Sequence, residues 1–376
     1  MFRYLMLFVI RLINKILSIK GSIRAQSNRS SKKALVSYVL VPTFYVPFYF
    51  KSSHNNKYQC YLLVRFLKSL GYSVSLHYYL DLKVDTSKQY DLFIGHNETF
   101  AKIASVLKPP FRKVLIAAGS EPNFGNAQQQ SRIKDLNERK KLNFKVYEDN
   151  IVPVLDQNYK EADLILLFGN SFVKQTYPEN YHAKMTLINN VTLHPFFKKE
   201  NRNRTNNFLF ISSVGQVHRG LDLLLDIFPS LPNKLYVLSA FEEETEFVNL
   251  FQEQLYETEN IVPVGYLDLN SKRFKEIIDD VDFVILPSCS EGQSSSIVNM
   301  IAYGLIPVIP LNVGLPDTPE IGILIDTLSV EGVSNAIGKA IGLKDEEMQD
   351  KRAQIDLACS KYTPAAYIES LKNAIT

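Results

Sequence analysis

The stretch 285–310, ILPSCSEGQSSSIVNMIAYGLIPVIP, combines acidic, hydroxyl and amide side chains with the backbone pattern of an anion site. An apolar strand that Pro287 ends is followed by a loop of small polar residues, a helix that Gly304 ends and a second apolar strand. Ser294 and Ser295 fall in the first helical turn, where free backbone N–H groups and the positive end of the helix dipole favour a phosphate. The sequence therefore predicts an anion-binding loop.

Two further polar side chains belong to this loop and helix. Glu291 stands in the loop and Asn299 follows eight residues later, a separation of about 12 Å at ~1.5 Å per helical residue. This distance suits a diphosphate with a sugar at one end and a ribose at the other. The amide of Asn299 can donate and accept hydrogen bonds but carries no charge.

The residues SEGQSSS, followed by AYGLIPVI, resemble the donor-site signature of retaining glycosyltransferases of the GT-B fold, family 4 or group 1 type. In that family a Glu contacts the transferred sugar and a second Glu, eight residues later, holds the ribose hydroxyls. The resemblance implies that Glu291 contacts the sugar and that Asn299 stands at the ribose position in place of the second Glu, where an uncharged amide would weaken or alter ribose binding. The intervening turn would cap the diphosphate through Gly292, Gln293, Ser294 and Ser295. The alternative is an ordinary buried strand and helix with an exposed Glu291.

A second motif, VGQVHRG, resembles the family's Gly-rich turn that precedes a basic residue and a glycine. The resemblance places Gly215 in the turn and Arg219 at the basic position, where a guanidinium suits forked contact with a diphosphate. Val214 stands where the family usually has another basic residue, so Arg219 would carry more of the phosphate charge. His218 either assists or caps the turn.

Polar residues also follow three strands of the first half of the chain. Ligands bind at the carboxyl ends of parallel strands, so His96 and Glu121 are predicted as candidate catalytic residues. A lone His at a strand end is otherwise a structural hydrogen-bonding group. The family often has a His where this chain has Gly119, Ser120 and Glu121, and the remaining polar candidates are His54, Asn97 and Glu98.

Alternating strand and helix patterns predict an α/β protein with parallel sheets. With the resemblance, the expected architecture is GT-B, with two Rossmann-like domains facing a central cleft and a C-terminal helix crossing back to the first domain. The helix 126–142 is charged and is expected to be covered by solvent. The predicted segments are a tail 1–30, an acceptor-side domain 31–197, a polar linker 198–207, a donor domain 208–343 and returning helices 344–376.

Composition excludes several classes of protein. A net charge of +3 in 376 residues lacks the positive field of a nucleic-acid-binding protein. Three scattered cysteines indicate neither a disulfide framework nor a zinc site. Asp280 and Asp282 lie at a predicted helix-to-strand junction, which favours a solvated or capping role over metal binding. We therefore expect no cofactor and no obligatory metal, and a reducing cytoplasm fits best.

The first thirty residues are apolar and basic. No Asp or Glu occurs before Asp81, whereas Arg3, Arg11 and Lys15 interrupt an apolar run too short to cross a bilayer. Drawn as a helix, the segment has the pattern of an interfacial helix. It predicts attachment to the inner membrane surface; a signal peptide or a docked or disordered tail are the alternatives.

These expectations converge on a glycosyltransferase that moves a sugar from a nucleotide-sugar donor to a glycan or lipid-linked acceptor with retention, in surface polysaccharide or glycolipid synthesis. Two alternatives stay open. A sugar-nucleotide epimerase of GT-B fold would convert the donor alone, and a non-catalytic scaffold would bind nucleotides weakly or not at all.

Overall fold

The computed structural model describes residues 22–25, 32–40, 55–96, 99–145, 151–153, 155–193 and 204–376. Most of the predicted tail and linker lie outside the described residues, as do His54, Asn97 and Glu98. The described residues form two sheets, each with helices against it. The strands that the alternating pattern predicts are present, with ends shifted by a few residues. Several of them, such as Leu164–Phe168 and Phe208–Ile211, are short and fully buried apolar runs.

The first sheet has seven strands in the order β1-β3-β2-β4-β5-β6-β7. Six strands are parallel, and β1 pairs antiparallel with β3 at the edge, so the sheet begins within the predicted tail. The strands are β1 Ser22–Ala25, β2 Lys33–Tyr38, β3 Ser73–Tyr78, β4 Leu92–His96, β5 Arg112–Ala117, β6 Leu164–Phe168 and β7 Met185–Ile188.

Among the described residues, five α-helices lie between these strands: α1 Asn55–Ser69, α2 Phe100–Val106, α3 Pro122–Lys140, α4 Asp156–Glu161 and α5 Ser171–Gln175. The sequence predicts a helix over 58–70, where α1 lies, and one over 126–142, where α3 lies, but it does not predict α2, α4 or α5. They are short, and a helix of one or two turns shows little periodicity in the sequence.

The second sheet has six parallel strands in the order β10-β9-β8-β11-β12-β13. They are β8 Phe208–Ile211, β9 Leu235–Leu238, β10 Ile261–Pro263, β11 Phe283–Ile285, β12 Ile306–Ile309 and β13 Ile323–Leu324. The accompanying helices are α6 Leu221–Ile227, α7 Thr245–Leu250, α8 Gln252–Tyr256, α9 Lys272–Asp280, α10 Ser295–Ile301, α11 Thr318–Ile321, α12 Val330–Ile341 and α13 Asp345–Cys359.

Helix α3 packs against the second domain although it lies between two strands of the first sheet. Ile133 and Leu136 belong to the apolar core of the second domain, and Arg132 is 4% exposed. The prediction of a solvent-covered helix is therefore wrong for this face. The helix also starts earlier than predicted, because Glu121 caps it and Pro122 fits its first turn.

The last helix, α14 Pro364–Ile375, returns to the first domain as the fold prediction requires. Tyr367, Leu371 and Ile375 are buried in the core that the first sheet forms with α1. The Arg112 guanidinium donates hydrogen bonds to the carbonyls of Ile375 and Ala374. None of the helices in the described ranges is long and apolar enough to span a bilayer.

The two acidic residues before β11 hold the chain where it enters the second domain. Asp282 is 1% exposed, so the solvated alternative is wrong for it. Its carboxylate accepts hydrogen bonds from the backbone N–H groups of Thr205 (2.7 Å) and Asn206 (2.9 Å) and pairs with Arg352. Asp280 accepts a hydrogen bond from the Tyr236 hydroxyl (2.5 Å). Both carboxylates serve the fold.

Candidate functional site

A cavity of about 760 Å³ lies where the carboxyl ends of the two sheets face each other. Both domains line it, as expected for ligand sites in sheets of parallel strands. The first domain contributes Tyr38, Asn55, Gln59, Ala118, Phe168 and Asn190, among others. The second contributes the residues that follow β8, β9, β10 and β11, among them Ser212, Ser213, Val214, Ser239, Ala240, Tyr266, Asp268 and Leu286.

Arg219 lines this cavity, and a tight turn fixes its position. Its backbone N–H donates to the Gly215 carbonyl (2.9 Å), and the next residue, Gly220, has φ of 79°. A Cβ at Gly220 would lie 2.4 Å from the Pro287 carbonyl oxygen, so only glycine fits there. Burial lowers the pKa of Arg219 to about 10, and the guanidinium stays charged at neutral pH.

Glu291 also lines the cavity and forms an ion pair with Arg219. The Ser288 hydroxyl donates to the Glu291 carboxylate (2.8 Å). Across the domain boundary, the Ser120 hydroxyl donates to the Glu291 carbonyl (2.5 Å). The structure thus brings together the two side chains that the sequence assigned to the diphosphate and the sugar.

His218 supports this loop and does not line the cavity. Its Nε2 lies 2.7 Å from the Ser290 carbonyl, and its Nδ1 lies 3.6 Å from the Cys289 Sγ. Burial and the neighbouring Arg219 charge lower the pKa of His218 to about 3. The ring is neutral at physiological pH and donates its Nε2–H to Ser290, which favours the capping alternative.

The turn before α10 is only partly open to an anion. A Cβ at Gly292 would lie 2.2 Å from the Ala118 carbonyl oxygen, so this glycine allows the two domains to approach closely. The backbone N–H of Gln293 donates to Phe168 (3.1 Å) and that of Ser294 to Val313 (3.1 Å). Ser295 and Ser296 line the cavity, and their backbone N–H groups have no acceptor among the described residues. The predicted cradle is therefore smaller than expected, because the N–H groups of Gln293 and Ser294 are already occupied.

Gly215 does not line the cavity, contrary to its predicted contact with the donor. Its backbone N–H donates to the Glu244 carboxylate, which also accepts from the backbone N–H of Gln216 (3.1 Å). Glu244 is 7% exposed. An internal carboxylate thus occupies the backbone N–H groups of Gly215 and Gln216, which are not available to a phosphate.

Asn299 lines the cavity but is bound to the first domain. Its Oδ1 accepts from the Thr192 hydroxyl (3.2 Å) and the Leu193 backbone N–H (3.0 Å), and its Nδ2 donates to the Asn55 Oδ1 (3.0 Å). Two accepted hydrogen bonds fill the two lone pairs of an amide oxygen. The structure therefore leaves Asn299 no acceptor for the ribose hydroxyls that the sequence assigned to it.

Gln293 makes a similar connection nearby. Its Oε1 accepts from the Asn190 backbone N–H (2.5 Å), and its Nε2 donates to Asn189 Oδ1 (2.8 Å). The Gln59 amide donates to Asn190 Oδ1, and the Tyr38 hydroxyl donates to Gln59. We call this set of neutral side chains the amide junction; its members are Asn55, Gln59, Asn189, Asn190, Gln293 and Asn299.

The two remaining catalytic candidates do not line the cavity. His96 is 7% exposed, lies edge-on to the Tyr38 and Tyr79 rings, and hydrogen-bonds through Nδ1 to the Ile116 carbonyl (3.0 Å). Burial lowers its pKa to about 4. The Glu121 carboxylate accepts from the Phe124 backbone N–H (3.1 Å) and caps α3. Both placements are structural.

Sequence reasoning did not identify the first-domain residues of the cavity. Asn55, Gln59 and Asn190 are amides in ordinary helix and loop sequence, and nothing local distinguishes them. Tyr266, in the segment after β10, is 82% exposed and lines the cavity. The segment that contains it, GYLDLNSKRFKEII, resembles the family's segment that positions the nucleoside base, so the sequence did indicate this region.

Comparison with known proteins agrees with this architecture. Residues 205–342 match the family model described as glycosyl transferases group 1. Anabaena HepE in complex with UDP has a TM-score of 0.59 at 11% identity, covering 92% of this chain and 99% of that one. The apo lipopolysaccharide outer core galactosyltransferase WaaB has a TM-score of 0.53 at 12% identity, with the same coverage.

A TarM variant of S. aureus, in complex with UDP among other ligands, has a TM-score of 0.51 at 12% identity. The match covers 75% of this chain and 55% of that one, so the chain spans about half the length of TarM. No curated protein sequence matches the chain significantly. The fold is GT-B, and the family match is confined to residues 205–342, which lie in the second domain.

Proposed function

We propose that the protein is a glycosyltransferase that moves a sugar from a nucleotide-sugar donor to a glycan or lipid-linked acceptor with retention at the anomeric carbon. The observation that carries this proposal is the Arg219–Glu291 pair in the cavity between the domains. The Arg219 guanidinium can bind a diphosphate, and the adjacent Glu291 carboxylate can accept hydrogen bonds from sugar hydroxyls.

In the proposed reaction, the bond between the anomeric carbon and the diphosphate oxygen breaks. A bond to the acceptor oxygen forms, and the acceptor proton is released. The negative charge that develops on the leaving diphosphate is stabilised by Arg219 and by the backbone N–H groups of Ser295 and Ser296. Arg219 Nε is a buried donor with no acceptor among the described residues, so a phosphate oxygen could satisfy it.

In the proposal, donor binding replaces the Arg219–Glu291 ion pair with one interaction for each of the two side chains. The diphosphate takes over the guanidinium, and Glu291, released from Arg219, accepts hydrogen bonds from the sugar. The amide junction beside it holds the walls of the cavity together and limits access of water, which would otherwise hydrolyse the donor. In this proposal the protein acts in surface polysaccharide or glycolipid synthesis.

A ligand screen tests the proposal. Thermal unfolding is measured with uridine, guanosine and adenosine diphosphates and their sugar conjugates, because HepE was solved with UDP. A ligand at a hundred times its Kd should stabilise the protein by about 2.7 kcal/mol. Absence of stabilisation by every nucleotide would contradict the proposal. An epimerase would convert the stabilising donor without an acceptor.

Arg219→Ala should weaken binding of the best nucleoside diphosphate by ~1.5–3 kcal/mol, the range for a charge-assisted hydrogen bond. Isothermal calorimetry measures this change. Arg273→Ala is the matched control, because Arg273 is 55% exposed on α9 and does not line the cavity. Equal affinities for both variants and the parent would remove Arg219 from the site.

Glu291→Gln should separate binding from transfer. Loss of the sugar contact should reduce transfer at least about tenfold, or ~1.4 kcal/mol of barrier. Binding of the nucleoside diphosphate alone should be unchanged or tighter, because Arg219 no longer has a competing carboxylate. Single-turnover transfer and calorimetry measure the two effects, and a variant as active as the parent would contradict the role of Glu291.

A further inference from the structure

The donor site described so far lacks an acceptor for the hydroxyls of a ribose. The Asn299 Oδ1 already accepts hydrogen bonds from the Thr192 hydroxyl and the Leu193 backbone N–H, and these fill its two lone pairs. Two neighbouring hydroxyls are well matched by a carboxylate, because each of its oxygens can accept a hydrogen bond and its charge strengthens both. The candidates for this role are the acidic residues that line the cavity.

Among the described residues, three acidic residues line the cavity: Glu243, Asp268 and Glu291. Glu291 is paired with Arg219. The Asp268 carboxylate accepts from the Asn270 backbone N–H (2.9 Å) and from its side-chain amide (3.1 Å). Glu243 is exposed, and its carboxylate has no hydrogen-bond or ion-pair partner in the described part of the chain. Both oxygens of Glu243 are therefore open to a ligand.

The backbone that carries Glu243 is held in place on two sides. The residue ends a short 3-10 helix that begins at Phe241, and the Phe241 ring is buried in the core of the second domain. The next residue, Glu244, accepts a hydrogen bond from the backbone N–H of Gly215, at the start of the turn that carries Arg219. The segment with Glu243 is thus attached to the turn with Arg219.

The order of strands in the second sheet gives the order of the charged and aromatic groups along the cavity. Strands β11, β8, β9 and β10 are neighbours in that order, about 4.8 Å apart. The lining residues that follow them are Glu291 after β11, Arg219 after β8, Glu243 after β9 and Tyr266 after β10. Because the carboxyl ends of parallel strands lie at one edge of the sheet, these four residues follow one another along that edge.

A nucleotide sugar has its parts in a matching order. Its sugar is joined to the diphosphate, the diphosphate to the ribose and the ribose to the base. With the sugar at Glu291 and the diphosphate at Arg219, the ribose falls beside the segment that follows β9, which carries Glu243. The base then falls beside the segment that follows β10, which carries Tyr266.

We propose that Glu243 accepts hydrogen bonds from the 2′- and 3′-hydroxyls of the donor ribose, in place of Asn299. This assignment rests on the proposed function and specifies its donor as a ribonucleoside diphosphate sugar. A 2′-deoxy donor, such as a thymidine diphosphate sugar, supplies only one of the two hydrogen bonds and is bound less tightly. Asn299 belongs to the amide junction and positions the first domain.

Calorimetry with a matched pair of ligands tests the role of Glu243. The ligands are uridine diphosphate and 2′,3′-dideoxyuridine diphosphate, or the corresponding pair with the base that the thermal screen favours. The parent should bind the ribonucleotide at least about tenfold more tightly than the dideoxynucleotide, the range for hydrogen bonds to a charged group. Glu243→Ala should bind the two ligands with equal affinity. The ratio of affinities isolates the hydroxyl contacts, because loss of a negative charge near the diphosphate affects both ligands alike.

Glu242→Ala is the matched control, because Glu242 is the exposed neighbour of Glu243, has the same charge and does not line the cavity. It should keep the parent's ratio. An unchanged ratio in Glu243→Ala would overturn the proposal, and a ratio lost only in Asn299→Ala would return the ribose to Asn299. A parent that binds both ligands equally would overturn the role of Glu243 and leave the proposed function intact. A parent that binds neither ligand would contradict the proposed function, and the ribose assignment would fail with it.

Discussion

Two of the contacts between the domains have opposite chemistry. The amide junction beside the cavity consists of neutral side chains, such as Asn299 bound to Asn55. The contact of α3 with α6 consists of charges: Arg132 and Arg139 both pair with Asp222, at 2.7 and 2.6 Å, and Lys140 pairs with Asp226 at 2.5 Å. Neutral hydrogen bonds thus hold the side of the molecule where a charged ligand would bind.

The difference shows where a charge can be tolerated. A buried ion pair is costly to break, because each partner is left with an uncompensated charge. An amide network costs less to form and does not add to the field inside the cavity, where the Arg219–Glu291 pair must respond to a ligand. We infer that the α3 contact fixes the domains against each other outside the cavity lining and that the amide junction sets their spacing at the cavity.

Of the variants considered, removal of the Asp222 carboxylate from the contact between α3 and α6 should reduce the free energy of unfolding most. Asp222 is fully buried, and Asp222→Ala leaves Arg132, which is 4% exposed, with Asp135 alone. The free energy of unfolding should fall by about 3–5 kcal/mol. Urea denaturation followed by circular dichroism measures this loss. Glu138→Ala is the control, since its pair with Lys134 on the same helix is exposed and should contribute less than ~0.5 kcal/mol.

A charge introduced into the amide junction should reduce the free energy of unfolding by less than the loss of Asp222 does. Asn299→Asp keeps both accepted hydrogen bonds but sets a carboxylate oxygen against Asn55 Oδ1, now 3.0 Å from the Asn299 nitrogen. Unfolding free energy should fall by about 2–3 kcal/mol, the cost of unsatisfied buried polar groups. Asn249→Asp, at an exposed helical position, is the control. Equal stability of the two variants would contradict the network.

The pH dependence of stability provides the smallest expected change and the most selective test. The amide junction has no titrating group, whereas burial lowers the pKa of the nearby His96 from 6.5 to about 4. Between these values the unfolded chain binds more protons than the folded one, so stability is complete above about pH 6.5 and falls with acidification. The loss from His96 should be about 2 kcal/mol between pH 7 and pH 5.

The variant His96→Asn isolates the contribution of His96 protonation to the pH dependence of stability. The Asn amide can donate to the Ile116 carbonyl as His96 Nδ1–H does, but it does not titrate. Unfolding followed as a function of pH should therefore show a shallower slope for the variant than for the parent. Identical slopes would mean that His96 is protonated in the folded protein at its ordinary pKa.

The sheets could be predicted from the sequence because their signals are local. Strand β11 is a buried apolar run ended by a proline, and α10 begins at a serine cap and ends before a glycine. The family resemblance of the two motifs also assigned Arg219 and Glu291 to one donor site, and the two side chains are in contact. These strands, helix ends and motifs depend on residues close together in the sequence, so residue patterns predict them.

The domain contacts could not be predicted, because their partners are distant along the chain. Asn299 was assigned to ribose from its spacing, yet its partner Asn55 lies 244 residues away. Arg132 lies in what reads as a charged surface helix, and its partner Asp222 is 90 residues away. The same residue types would be solvated in another fold, so only the tertiary arrangement distinguishes the alternatives.

The return of α14 has a consequence for synthesis of the protein. Tyr367, Leu371 and Ile375 complete the core of the first domain, but they are translated after the whole second domain. At ~5–20 residues per second, the interval between β7 and this helix lasts roughly 10–40 s. During that time the nascent first sheet exposes the apolar surface that α14 later covers. A chaperone that binds exposed apolar segments on the ribosome therefore has its main opportunity at the first domain, although that domain emerges first.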